Sequence, residues 1–185
     1  MCTESLEHQA IQEMNGVDAL VVIDVQEWIV SLDLFPVTGQ KLAHKIENMV
    51  EKWRELYPNK PVVWIAFLRA DGSDGGLDGR AGLSIRKADD EALLIKYGIS
   101  AFQGTRLHHY LSEHDVRSFI TVGIATDYAI AATALDAIQH GYQVWVPADG
   151  CVATSAYAHK KTLEKLSERG VCTKPYGLTV SPNNT

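Results

Sequence analysis

No run of basic residues occurs in this chain of 185 residues, and its 17 lysines and arginines are outnumbered by 23 aspartates and glutamates, a net charge of −6. An acidic surface repels phosphate backbones and anionic headgroups, which argues against nucleic acid and membrane as partners. No apolar stretch reaches the ~20 residues that cross a bilayer. Met1 to Met14 is polar and lacks the apolar core of a secretory leader. A soluble, cytoplasmic protein is the expectation. Cysteine is scarce: Cys2, Cys151 and Cys172 are odd in number and not spaced as metal ligands, which argues against a disulfide framework or a zinc ribbon. All three read as ordinary thiols, Cys151 included, although it follows Ala148-Asp149-Gly150 at the end of an expected strand. Repeats and low-complexity segments are absent.

With 46% hydrophobic residues the chain can bury a core. Its length fits a single domain over 1–185, with roughly 15 N-terminal and 8 C-terminal residues peripheral to it. Apolar runs alternate with helical patterns. Strands are predicted at Ala19 to Val25, Pro61 to Leu68, Leu93 to Lys96, Ser118 to Val122, Tyr142 to Pro147 and Val171 to Lys174. Helices are predicted at Lys41 to Tyr57, Arg106 to His114, Asp127 to His140 and Ala156 to Arg169, with Pro58, Gly141 and Gly170 as stops. Asp71 to Gly82, rich in Gly and Asp, is a long loop. Strand then helix, repeated, predicts an α/β fold: a three-layer α/β/α sandwich around a mostly parallel, doubly wound sheet. Ligands in such sheets bind beyond the C-terminal strand ends. Asp24, Arg69, Lys96 and the Ala125–Ala129 turn all fall there. Periodicity does not fix the strand order.

Asp24 interrupts the apolar run Val21-Val22-Ile23-Asp24-Val25-Gln26, where a carboxylate is costly unless it is paired or functional. A helix cap or a buried salt bridge accounts for it as well as catalysis does. Lys96 ends Leu93-Leu94-Ile95; a surface lysine is the bland alternative, yet an apolar run leads straight into it. A buried ammonium beside a buried carboxylate lowers the cost of both. The helix opening near Asp127 directs free amide groups and a positive dipole end toward the same edge.

These segments together resemble the isochorismatase-like cysteine hydrolases, which include nicotinamidases and N-carbamoylsarcosine amidohydrolases. Asp24 with Gln26, Lys96 with Ser100-Ala101-Phe102-Gln103-Gly104-Thr105, and Gly123 to Tyr128 match three separated motifs in order. Thr133 to Ala137, Gly141-Tyr142 and Asp149 extend the match over roughly residues 17 to 172. The resemblance implies Asp24 as general base, Lys96 as its electrostatic aid and a thiolate attacking an amide carbon. It implies an oxyanion hole from the amides of Ala125 and Ala129, a cis peptide at Ile124–Ala125, and self-association into a homo-oligomer. Leu107, Leu111 and Trp145 are candidate apolar surface for that association.

The chain departs from the pattern twice. Relatives place the nucleophilic cysteine where this sequence has Ala129, so hydrolysis by this chain is expected to be impaired or absent. Either a deliberate Cys-to-Ala substitution or a natural protein working without the thiol accounts for it; the intact surroundings favour the former. The region Phe67-Leu68-Arg69-Ala70-Asp71-Gly72 lacks the histidine of the nicotinamidase metal motif, so no metal and no cofactor is expected. His108-His109 point apart on a helix and read as surface. The leading expectation is an amide or carbamoyl hydrolase site for a small molecule. The alternatives are a vinyl ether hydrolase of the isochorismatase type, with Asp24 as general acid, and a binding protein without chemistry. Gln26, Trp28, Arg69, Phe102 and Tyr128 are the candidate substrate contacts; Phe35 is a further aromatic wall, and Arg80 reads as a solvated loop residue.

Overall fold

A computed structural model describes residues 16–177. The ends expected to be peripheral, and Cys2 with them, lie outside the described residues. The strands are β1 (Ala19–Ile23), β2 (Val62–Phe67), β3 (Ala92–Lys96), β4 (Ser118–Ile124), β5 (Gln143–Trp145) and β6 (Cys151–Val152). They form one sheet in the order β3-β2-β1-β4-β5, with β6 also paired to β4, and the pairings are parallel. The helices are α1 (Glu27–Val30), α2 (Gly39–Leu56), α3 (Leu107–Glu113), α4 (Ala131–Gln139) and α5 (Ala156–Glu168).

Both faces of the sheet are covered, which is why the strands read as unbroken apolar runs. Side chains alternate across a strand. Leu20 and Val22 therefore pack with Leu42, Ile46, Met49, Val50 and Trp53 of α2 on one face. Val21 and Ile23 pack on the other face with Leu107, Leu111, Ile130, Ala134 and Leu166. The three-layer architecture follows from this division. Leu107 and Leu111 are fully buried in that second layer. They are thus core residues, and the expected apolar surface for self-association does not include them.

Three elements differ from the sequence pattern. The helix predicted from Asp127 opens as a π turn, Thr126–Ile130, because Ile130 N–H donates five residues back to the Ala125 carbonyl. Val171 to Lys174 forms no strand; it contributes one bridge, Trp145 to Cys172. The two-residue β6 and the four-residue α1 are too short to leave a periodic signal. Asp71 to Gly82 is a chain of turns, held by Asp74 accepting from the amides of Arg69 (2.6 Å) and Gly76 (3.1 Å).

Candidate active site

The strand order turns back between β1 and β4: β2 and β3 lie to one side of β1, β4 and β5 to the other. A crevice forms at such a switch point, outside the carboxyl ends of the strands. Gly123 makes the close approach possible. Its φ is +134°, and a Cβ there would drive into the Ile23 carbonyl oxygen of the neighbouring strand. Only glycine meets both conditions.

Asp24 follows β1 directly, with φ +56°, a left-handed conformation that Asp adopts more readily than most residues. Lys96 ends β3 in register with Phe67 of β2. The two side chains meet across the sheet: Lys96 Nζ lies 2.8 Å from Asp24 Oδ2, and the residues are 2% and 5% exposed. Lys96 also donates to the Gly98 carbonyl at 3.2 Å. Asp24 Oδ1 is buried without a hydrogen-bond partner. Burial pushes the Asp24 carboxyl up to about 6, against the opposing pull of the Lys96 ammonium.

After β4, the Ile124–Ala125 peptide is cis. The π turn follows, with Tyr128 and Ile130 both donating to the Ala125 carbonyl at 3.1 Å. The amides of Ala125 and Ala129 stand at the opening of this turn, where the first N–H groups of a helix lack partners within it. Two side-chain bonds tie the turn to the chain around α5. Thr126 Oγ1 sits 2.9 Å from His159 Nδ1, and Asp127 Oδ2 accepts from Thr154 Oγ1 at 2.6 Å.

Asp24, Lys96, Ala125, Tyr128, Ala129 and Trp28 line one cavity of about 550 Å³. Three of the sequence-predicted contacts are elsewhere. Gln26 is fully buried, its Nε2 donating to the carbonyls of Phe67 (3.0 Å) and Ala81 (2.6 Å) and its Oε1 accepting from Phe67 N–H (2.8 Å). It clasps β2 to the turn before β3 and does not line the cavity. Arg69 lies over the Trp28 ring and lines, with Arg80, a separate cleft of about 70 Å³. Phe102 stacks on His140 and Tyr142 in the second layer. Sequence reasoning missed Ile29, Leu32, Leu34, Phe67, Tyr97, Ile99 and Thr154, which with Gly98 and Ile124 complete the lining. Phe67 and Tyr97 were legible as residues at strand ends.

Neither of the two thiols among the described residues lines this cavity. Cys151 is buried in the sheet, and burial pushes its thiol up to about 12. Cys172 is half-buried behind β5.

The sequence matches the isochorismatase domain over residues 18–174. Over 49 residues it is 47% identical to a nicotinamidase of Escherichia coli K12, a stretch covering 26% of this chain and 23% of that protein. Over 168 residues it is 25% identical to the uncharacterized isochorismatase family protein YecD of Escherichia coli O157:H7, covering 82% of this chain and 88% of that one. Among solved structures, the zinc complex of the Pyrococcus horikoshii pyrazinamidase shares the fold at a TM-score of 0.73 and 24% identity, covering 85% of this chain and 98% of that one. N-carbamoylsarcosine amidase of Thermoplasma acidophilum does so at 0.71 and 21%, covering 85% and 95%. Asp71 accepts from Ser73 N–H at 3.0 Å, and no group of three His, Cys, Asp or Glu stands together among the described residues.

Proposed function

The chain belongs to the isochorismatase domain family, and from that premise we propose that its cavity is a hydrolase site for the C–N bond of a small amide or carbamoyl group, with alanine at the position of the nucleophile. The observation that carries the proposal is the shared cavity. The buried Asp24–Lys96 pair and the Ala125–Ala129 turn line the same space of about 550 Å³.

Each group has a step. A substrate carbonyl oxygen accepts from the amides of Ala125 and Ala129, which bind it more strongly as it becomes an oxyanion. With a thiol at 129, Asp24 takes the proton and the sulfur forms a bond to the carbonyl carbon. The C–N bond then breaks, the amine leaves with a proton, and water cleaves the thioester. Lys96 keeps the carboxylate ionised and aligned. The methyl group of Ala129 leaves binding and polarisation intact but no bond-forming atom. Losing the nucleophile of a covalent mechanism costs several orders of magnitude.

One observation favours a second reading. A carboxyl pushed up to about 6 is half protonated in mildly acidic solution and can act as an acid. Asp24 would then give its proton to the terminal carbon of a vinyl ether, water would add to the resulting oxocarbenium carbon and return a proton to Asp24, and the hemiketal would collapse to a ketone as the C–O bond breaks and its hydroxyl proton passes to the leaving alcohol. The Ala129→Cys variant assayed for ammonia release from small amides tests the first reading. Release of pyruvate from isochorismate by the unmodified chain tests the second. Binding without gain of activity in either assay would leave a binding protein.

A further inference from the structure

Among its described lining residues the cavity has no unpaired charge. Lys96 is the only cation among its described lining residues, and its ammonium is already held by Asp24 at 2.8 Å and by the Gly98 carbonyl at 3.2 Å. An ion pair adds no net charge to the site. The nearby arginines do not correct this: Arg69 and Arg80 open on the separate small cleft, which shares only Trp28 with the cavity. A substrate carboxylate would enter without a partner, and stripping an unpaired carboxylate of water is costly.

The rest of the lining carries no charge and is mostly apolar; its side-chain polar atoms are the Thr154 hydroxyl, already bonded to Asp127, the Trp28 indole N–H and the hydroxyls of Tyr97 and Tyr128. Ile29, Leu34, Phe67 and Ile124 form the interior. At the mouth, Leu32, Tyr97, Ile99 and Tyr128 line the same cavity and remain 48% to 62% exposed. A scattered exposed apolar residue is ordinary, but a group of four around one opening marks a surface that takes an apolar partner.

We propose that the substrate is an uncharged amide whose carbonyl meets the Ala125–Ala129 turn and whose aromatic or branched aliphatic substituent lies along the wall toward Leu32 and Ile99, with carboxylate-bearing amides rejected. The inference rests on the hydrolase reading of the cavity and names the substrate class for it. The same charge balance disfavours isochorismate, which carries two carboxylates.

Calorimetric titration of the unmodified protein separates these cases, with phenylacetamide against its para-carboxylate and hexanamide against its terminal carboxylate. The neutral member of each pair is expected to bind at least tenfold more tightly. Ile99→Asp and Leu32→Asp, both at exposed positions, are expected to weaken the neutral probes at least fivefold without moving the thermal transition. Equal or tighter binding of the carboxylates, no detectable binding of the neutral probes, or affinity indifferent to both mouth substitutions would overturn the proposal. Turnover of the Ala129→Cys variant distinguishes the two levels. If it cleaves the carboxylated amides in preference, the substrate class is wrong and the hydrolase reading stands. If it binds neutral amides and cleaves none, the hydrolase reading is wrong and the apolar site stands.

Discussion

In the proposed mechanism the chemistry turns on Asp24, and its position was legible because a carboxylate in an apolar strand needs a reason. Lys96 was legible in the same way, and the structure pairs them at 2.8 Å. Gln26 was not legible. A polar residue two positions from a candidate acid looks like a ligand contact, and only coordinates show its amide consumed by the backbone of Phe67 and Ala81. The Asp24 carboxyl makes a prediction about stability. Its folded value, about 6, stands above the ordinary 3.8, so between these the folded chain keeps a proton that the unfolded chain has lost. Its contribution is therefore fully present below about 4 and is lost as the pH rises through about 6, an effect on the order of 3 kcal/mol. Denaturant unfolding of the wild-type protein and of Asp24→Asn, from pH 4 to 7, isolates it. The wild type is expected to lose stability relative to the variant over that interval; a flat difference would remove the raised carboxyl from the account.

The π turn and Gly123 show what an element carries beyond its propensity. Periodicity placed a helix at Asp127 to His140, and a helical segment is there, but the wide first turn depends on hydrogen bonds to Ala125 that no side-chain pattern encodes. Short pieces such as β6 escaped for the same reason: two residues cannot show a period. Gly123, by contrast, is a local signal with a large consequence. Gly123→Ala would place a methyl group against the Ile23 carbonyl oxygen in a backbone conformation that alanine rarely adopts. The substitution is expected to cost at least about 3 kcal/mol, measured by thermal or denaturant unfolding. It should also weaken ligand binding, because the adjacent ends of β1 and β4 lead into Asp24 and the Ala125–Ala129 turn, which line the cavity together.

At the scale of the molecule, alternation of strand and helix announced the architecture, and the rule that ligands gather at strand ends brought distant residues to one edge. The strand order stayed hidden because a strand buried on both faces reads alike in any position of the sheet. Long-range polar pairs stayed hidden too. Glu91 joins α2 to β2 and β3: it takes a two-bond grip from Arg54 at 2.8 and 2.9 Å, a bond from Trp64 Nε1 at 2.6 Å and one from the Ala88 amide at 2.9 Å. Burial would raise its carboxyl, but these donors outweigh it and hold the group below its ordinary value. Glu91→Ala strands four donor atoms on three residues and is expected to cost about 2–4 kcal/mol. Denaturant unfolding reads the loss, while calorimetry is expected to show unchanged affinity at the distant cavity. The account as a whole is tested most directly by the pH–rate profile of Ala129→Cys on a neutral apolar amide. It predicts ammonia release at least a thousandfold above that of the unmodified chain, rising as the pH passes through about 6 and Asp24 becomes a base. Equal rates for the two proteins on every amide they bind would contradict it.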